Sequence, residues 1–285
     1  MASRRHLLFR STWWLCNALL LLAFVATLWS ALEEYSVRRY LQGFSDAVVS
    51  EGATPQQKAE EILTWMKSGP PRLEAQDVTV LSPRDPQKTL NYRQLLEVCG
   101  SATNAFLNLS RSSGLNTRRL LLLTPDRHAN HVVAEVDLDG RWVVVDPTFR
   151  TFMKDAKGNL LTRKDLQNPE IFREATSGLP GYLPEYRYDR FAHVRLAAIP
   201  FHGADLRRFA DRILPGWDEY LDWSLLLERR SFMELFLSVN ALIGLLLLRA
   251  TLAWLADRRL KIPRFHLREH LGRATAALFT SPEIK

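Results

Sequence analysis

The sequence contains very little cysteine, and this scarcity excludes several classes of small, cross-linked or metal-bound domain. Only Cys16 and Cys99 occur among the 285 residues, and their surroundings differ so much that no disulfide framework is expected. Cys-x-x-Cys and His-Glu-x-x-His spacings are absent, so a zinc site built from Cys99, His128 and His131 has no motif to support it. Since no glycine-rich phosphate loop is present either, we expect neither a metal nor an organic cofactor.

Charge is absent from residues 11–32, an apolar run that is long enough to cross a bilayer. Glu33 and Glu34 follow this run, and four basic or histidine residues precede it: Arg4, Arg5, His6 and Arg10. A cleaved signal peptide is the alternative, but its apolar region would be shorter, and small residues are missing from both cleavage positions. We predict an uncleaved transmembrane helix within residues 1–32.

A second apolar run covers residues 232–251, with Glu234 near one end and Arg249 near the other. Its uncharged part, residues 235–248, is too short to span alone and would also suit a buried core helix. Flanking apolar residues lengthen the run, and both charged side chains are positioned to reach water. We therefore predict a second transmembrane helix at residues 231–252.

Basic residues lie on the outer side of both apolar runs, in a chain whose formal net charge is +7. The positive-inside rule then puts both termini in the cytoplasm and the middle of the chain across the membrane. The basic tail at residues 253–285 adjoins a span, which favours anionic lipid headgroups over nucleic acid as its partner. Residues 201–230 are predicted to be a helical connector, with Trp217 and Trp223 near the membrane interface.

The segment at residues 33–200 is predicted to form the domain on the far side of the membrane. A helix is predicted to begin at Thr54-Pro55, and residues 72–90 are predicted to be a loop or crossover. Another helix is predicted to begin near Cys99, where apolar residues recur with helical spacing, and to end at Gly114. A short strand is predicted at residues 118–124, while residues 150–200 are irregular in pattern.

Two β-rich runs, residues 131–138 and 141–147, flank Asp139-Gly140, the residue pair that favours a tight hairpin turn. This turn sets a register that pairs Leu138 with Arg141 and assigns one face to the core. The residues of that face are Val132, Ala134, Val136, Leu138, Val143 and Val145. His131 and Asp146 share the opposite face as diagonal neighbours, about 7–8 Å apart at the backbone.

Cys99, His131 and Asp146 could together form a nucleophilic thiolate, an imidazole and an orienting carboxylate. A helix N-terminus and a nearby imidazolium both favour the charged form of a thiol. Each residue also has a structural interpretation, as a small core cysteine, a satisfied strand histidine and a turn aspartate. The loop residue His128 competes with His131, although no register connects His128 to Asp146.

An oxyanion formed during attack by Cys99 would need hydrogen-bond donors. The backbone N–H of Cys99 is one candidate donor. The side chain of Gln94 or Trp65 would be a second, and the sequence does not choose between them.

The residues of this region resemble the transglutaminase-like superfamily. The resemblance rests on VCGSATNAFLNLSRSSGLNTRRLLLL, on HVVAEVDLDGRW and on VVVDPTF, and it covers about residues 55–150. It implies an α+β, papain-like core in which a cysteine-bearing helix packs on a small antiparallel sheet. It also implies a catalytic triad with Cys99 as nucleophile, His131 as base and Asp146 as the orienting group.

These observations together predict a two-span protein of the bacterial inner membrane with a periplasmic transglutaminase-like domain. Its expected activity is attack on an amide or ester through a thioester, followed by hydrolysis or acyl transfer to an amine. The expected substrate is an envelope peptide, protein or polymer. The alternative is a non-catalytic binding or scaffold module of a membrane assembly, and the sequence does not indicate an oligomeric state.

Overall fold

The computed structural model describes residues 2–68, 85–91, 96–194 and 203–260. Gln94, most of the predicted loop at residues 72–90 and the basic tail beyond residue 260 lie outside the described residues. The chain divides into two compact units, one comprising residues 1–28 and 237–285 and the other residues 29–236.

The first unit contains the N-terminal part of helix α1 (Ala2–Val48) and most of helix α9 (Arg230–Leu255), and a short π-helical turn, Ala256–Leu260, follows α9. Arg249 of α9 donates a hydrogen bond to Asn17 of α1 at 3.0 Å, and its guanidinium lies 5.1 Å from the Trp13 ring. Cys16 is buried and close to the Leu245 carbonyl. By length and apolar composition, both helices are able to cross a membrane.

The helices of the second unit begin and end with the local signals that the sequence contains. Helix α2 (Pro55–Ser68) begins at a capping box, in which the Gln57 N–H donates to Thr54 Oγ1 and the Thr54 N–H donates to Gln57 Oε1. Helix α4 begins at Cys99, as predicted, and ends at Ser112, two residues before the predicted stop signal Gly114. Gly114 has a φ of +81°, and the Leu115 N–H donates to the Ser110 carbonyl, which together terminate α4 in a Schellman motif.

Five antiparallel strands form one sheet in the order β4-β3-β2-β1-β5. Their bounds are β1 Thr117–Leu123, β2 Ala129–Leu138, β3 Arg141–Asp146, β4 Thr151–Phe152 and β5 Phe191–Ala192. The predicted register of the β2–β3 hairpin is confirmed, with Val136 opposite Val143 and Leu138 opposite Arg141. Asp139 and Gly140 both have positive φ, of 55° and 83°, as a tight primed turn requires.

Both faces of this sheet are buried. On one face, Ala134, Val136 and Val145 pack in a core with α4, α2 and the end of α1, and Thr103 of α4 donates to the Val132 carbonyl at 2.9 Å. This arrangement confirms the predicted α+β core with a cysteine-bearing helix on an antiparallel sheet. On the other face, Val133 and Val144 form a second core with residues from the segment after β3.

Three sequence predictions about the elements outside the sheet need correction. Residues 86–91 form a short helix, α3 (Pro86–Asn91), which overlaps the end of the segment at residues 72–90 predicted to be a loop or crossover. Helix α1 continues to Val48, well beyond the predicted end of the apolar run. Trp217 is buried and donates its indole N–H to Asp211 at 3.1 Å, so it is a packed residue of the domain and not an exposed interface anchor.

Short helices complete the domain: α5 (Pro169–Thr176) and a 3-10 turn (Asp165–Gln167) lie between β4 and β5, and three helices precede α9. These three are α6 (Gly203–Ile213), α7 (Trp217–Tyr220) and α8 (Ser224–Glu228). At the beginning of α9, Arg229 and Ser231 both bind Glu34 of α1, at 3.1 Å and 2.8 Å.

Candidate active site

The β2–β3 hairpin holds His131 and Asp146 on the same face of the sheet. His131 lies near the start of β2, opposite Leu122 of β1, and Asp146 ends β3. Their side chains meet, with 2.7 Å between His131 Nε2 and Asp146 Oδ2. Both are almost inaccessible to solvent, His131 at 2% exposure and Asp146 at 0%. A contact so well shielded from water has more electrostatic influence than a surface pair of the same length.

The turn after β3 fixes the orientation of the Asp146 carboxylate. The backbone N–H groups of Thr148 and Phe149 donate to Oδ1, at 3.0 Å and 3.2 Å. This is the Asx-type turn that an Asp-Pro-Thr sequence favours. Because Oδ1 is occupied by the turn, Oδ2 is directed at the imidazole, and Nδ1 is the ring nitrogen of His131 that Asp146 leaves available.

Cys99 is the first residue of α4 and is partly exposed. Its pKa is lowered, first by hydrogen bonding with the His131 side chain, and burial opposes this effect only in part. The positive charge of His131 and the backbone N–H groups of Val132 and Gly100 lower the pKa further. The thiolate is therefore favoured by groups from both α4 and β2.

The pKa of His131 shifts in the opposite direction, upward. Burial by itself would lower its pKa, but hydrogen bonds with Asp146 and Cys99, together with their charges, raise the pKa to about 9. A lowered thiol pKa beside a raised imidazole pKa favours a thiolate–imidazolium pair at neutral pH. Such a pair is the reactive form of a nucleophilic cysteine.

Two tyrosines from the segment between α5 and β5 enclose the imidazole. The Tyr186 ring stacks on His131, with 4.2 Å between ring centroids and 8° between ring planes. The Tyr182 ring meets His131 edge-on, with centroids 5.8 Å apart, and its hydroxyl lies 2.7 Å from that of the buried Tyr188. Sequence analysis did not identify these tyrosines, because they follow no periodic pattern in an irregular segment.

The remaining predicted candidates lie elsewhere or outside the described residues. His128 is exposed in the β1–β2 loop, and it is His131 that meets Asp146. The Trp65 ring packs edge-on against Phe44, with centroids 5.0 Å apart, in the core cluster on the α4 face of the sheet. Cys99 packs in a different cluster, with Leu121 and Val132. Gln94 is not among the described residues.

A second histidine of the domain is structural by its contacts. His193 is buried and its Nδ1 bonds the Arg119 carbonyl at 2.6 Å, while burial lowers its pKa. Within the described part of the chain, no group of three or more His, Cys, Asp or Glu residues is arranged to hold a metal ion.

Comparison with known proteins identifies the domain that contains these residues. Residues 42–147 match the core domain of the transglutaminase-like superfamily, so this part of the chain is a transglutaminase-like domain. The match includes Cys99, His131 and Asp146. No curated protein and no solved structure matches the chain.

Proposed function

We propose that the domain is a cysteine-dependent enzyme that attacks an amide or ester and forms a thioester on Cys99. The observation that carries this proposal is the arrangement around His131. Its Nε2 lies 2.7 Å from Asp146 Oδ2, and its side chain lowers the pKa of the Cys99 thiol. A nucleophile, a base and a group that orients the base are the three parts that covalent acyl transfer requires.

In the first step, the Cys99 thiolate attacks the carbonyl carbon, a carbon–sulfur bond forms, and the carbonyl oxygen becomes an oxyanion. The Cys99 N–H at the first turn of α4 is the proposed donor to that oxygen, since the first N–H groups of a helix have no intrahelical partner. Collapse of the intermediate then breaks the bond to the leaving amine or alcohol. The proton that this leaving group needs comes from His131 Nδ1.

In the second step, the neutral imidazole removes a proton from water or from an acceptor amine. The activated oxygen or nitrogen attacks the thioester carbonyl, the carbon–sulfur bond breaks, and the Cys99 thiolate is restored. Water gives hydrolysis, while an amine gives transamidation. In both steps, Asp146 holds the orientation of the His131 ring and stabilises the ring whenever it is protonated.

We further propose that α1 and α9 anchor this enzyme in the inner membrane of a bacterium, with both termini in the cytoplasm. The apolar composition of both helices supports the anchoring, and the basic residues outside both apolar runs support the orientation. The bacterial assignment rests on the family resemblance. The domain then faces the periplasm, and an envelope peptide, protein or polymer is the proposed substrate.

The pH dependence of Cys99 alkylation tests the proposed enzyme. Wild-type protein in detergent is treated with iodoacetamide between pH 5 and 9, and peptide mass spectrometry separates Cys99 from Cys16. Cys99 should react well below the pKa of a free thiol, about 8.5. His131→Ala should lose the low-pH reactivity. His128→Ala is the matched control and should keep it, because His128 is exposed in a loop. An inert Cys99 in the wild-type protein would contradict the proposal.

A non-catalytic binding module is the second candidate, and the burial of His131 favours it. The imidazole is 2% exposed and lies under the Tyr186 ring, which limits access for a substrate. Under this alternative, the thiol reacts slowly at every pH and the His131→Ala variant resembles the wild type. The alkylation profile therefore separates the two candidates.

A further inference from the structure

A cavity of about 270 Å³ lies beside the candidate active site, between α5 and the segment that leads to β5. Buried or half-buried rings form its inner wall: Phe172, Tyr182, Tyr186 and Tyr188. Exposed polar side chains surround its mouth: Gln167, Arg173, Arg187 and Asp189. An apolar cavity of roughly 150 Å³ holds benzene, so this one has room for a single six-membered ring with its substituents.

The composition of the wall narrows the class of ligand. A wholly apolar ring would bury the aromatic surfaces but would leave the polar groups at the mouth without partners, which costs binding free energy. A small polar anion would leave the apolar surface of the four aromatic rings uncovered and would gain little from them. The ligand that satisfies both parts has an apolar face and a polar edge.

A pyranose sugar has both an apolar face and a polar edge. Its axial C–H groups form an apolar face, and aromatic ring faces carry the negative potential that attracts such hydrogens. Its hydroxyls lie around the edge in adjacent pairs. Guanidinium, amide and carboxylate groups offer two polar atoms in a plane, which suits adjacent hydroxyls.

The polar groups at the mouth retain capacity for such contacts. Gln167 donates one amide N–H to the Tyr188 carbonyl at 3.3 Å, so its side-chain carbonyl oxygen and its second N–H are available to a ligand. Arg187 contacts Asp189 through one nitrogen at 3.3 Å. Arg173 is exposed and forms no ion pair with any residue that the structure describes. Direct hydrogen bonds from a ligand would therefore not require the domain to break its own contacts.

The cavity shares a wall with the candidate active site. Tyr186 lines the cavity and stacks on His131, and Tyr182 lines it and meets the same imidazole edge-on. A ligand in the cavity is thus one aromatic ring away from His131. We propose that this cavity is a binding subsite for one pyranose unit of a carbohydrate. That the sugar belongs to the substrate of Cys99 rests on the proposed function, whereas the binding itself does not.

The test measures binding of small sugars to the full-length protein in detergent by saturation-transfer NMR. The probes are methyl β-glucopyranoside and N-acetylglucosamine, with cyclohexylmethanol and phenylalaninamide as ring compounds that lack the hydroxyl edge. At least one sugar should bind, with a dissociation constant on the order of 1 mM as expected for so small a ligand. Both comparison compounds should give a weaker signal.

Two matched variants assign the signal to the cavity. Thr176→Phe introduces a ring at a residue that lines the cavity and should abolish the sugar signal. Ser177→Phe makes a similar change at the next residue, which is exposed and does not line the cavity, and should retain it. If Thr176→Phe fails to fold, Arg173→Ala serves instead and should weaken sugar binding at least threefold.

The inference is overturned if neither sugar binds the wild-type protein, if sugar binding survives Thr176→Phe, or if phenylalaninamide binds more tightly than both sugars. Iodoacetamide reactivity of Cys99 is measured on the same samples. A reactive Cys99 without sugar binding refutes only the subsite, and sugar binding with an inert Cys99 refutes only the proposed enzyme.

Discussion

The charge on His131 determines how Cys99 should react with anions. Below a pH of about 9 the imidazole is protonated, and it attracts an anionic reagent to the neighbouring thiolate. We expect the rate ratio of iodoacetate to iodoacetamide at Cys99 to be high near pH 7 and to fall as pH rises through about 9. The thiolate remains present across this range because the pKa of Cys99 is lowered, so the fall reports the imidazole alone.

Asp146→Asn should shift the fall in the iodoacetate-to-iodoacetamide rate ratio to lower pH, since the Asp146 carboxylate contributes to the raised pKa of His131. Asp126→Asn is the matched control, because this carboxylate is exposed in the β1–β2 loop, and it should leave the profile unchanged. A ratio that is constant between pH 6 and 10 in the wild type would contradict the thiolate–imidazolium pair.

The placement of His131 beside Asp146 and the start of α4 at Cys99 could be predicted from the sequence because local rules set both, whereas the approach of Cys99 to His131 depends on how α4 packs on the sheet. The turn pair Asp139-Gly140 fixes the register that puts His131 and Asp146 on one face, and the helix start fixes Cys99. Tyr182 and Tyr186 could not be predicted. Their positions depend on packing between segments that are distant in sequence, and no periodic pattern records such packing.

The β2–β3 hairpin depends on a turn residue without a side chain. Gly140 has a φ of +83°, a conformation that costs an L-residue about 1–2 kcal/mol. Gly140→Ala should therefore lower the free energy of unfolding by about 1 kcal/mol, because part of this cost is offset by a less flexible unfolded chain. Thermal unfolding in detergent would show this as a midpoint lowered by a few degrees.

Gly178→Ala is the matched control, because Gly178 is exposed and its φ is not positive. A Cβ at either position would meet no atom within 4 Å, so the two variants differ in backbone strain and not in space. Equal midpoints for the two variants would contradict the turn argument.

The elements after β3 show where prediction from sequence ends. Strands β4 and β5 contain two residues each, and pairing with β3 and β1 holds them in place. Runs this short carry no alternation that could be read from sequence. Helix α5 does have a local signal, since Asn168 caps it and Pro169 is its first residue, but nothing local indicates that the following segment covers His131.

At the scale of the whole chain, a buried ion pair joins α1 to the segment that begins α9. Glu34 is 2% exposed, forms an ion pair with Arg229 at 3.1 Å, and accepts hydrogen bonds from Ser231 at 2.8 Å and from Arg38 at 2.7 Å. Removing one member of a buried pair leaves the other charge uncompensated, at a cost of roughly 3–5 kcal/mol. Glu34→Ala should therefore lower the thermal midpoint strongly.

Glu33→Ala removes the same charge one position earlier, at a residue that is only half-buried, and should have little effect on the midpoint. The double variant Glu34→Ala/Arg229→Ala should recover part of the loss, because the buried Arg229 charge is removed as well and the remaining partner, Arg38, is exposed to solvent. A Glu34→Ala midpoint equal to that of the wild type would contradict the role of this pair.

The two apolar helices could be predicted from composition, but the full extent of α1 could not. Glu33 and Glu34 interrupt the apolar run and suggested its end, yet the helix continues and supplies Val37 and Leu41 to the core of the domain. One continuous helix is thus both a candidate membrane span and a core element. Along α1, the apolar run gives way to residues that pack in the core of the domain. The helical spacing of the sequence is not interrupted at that point, so no sequence pattern reveals the transition.

The bond from Ser231 to Glu34 has a consequence for the order of events during synthesis. These residues are 197 positions apart, so the contact cannot form until residue 231 has left the ribosome. At about 5–20 residues per second, α1 waits roughly 10–40 s for this partner. During that interval, a carboxylate destined for burial remains hydrated, and the domain becomes complete only after the start of α9 has been made.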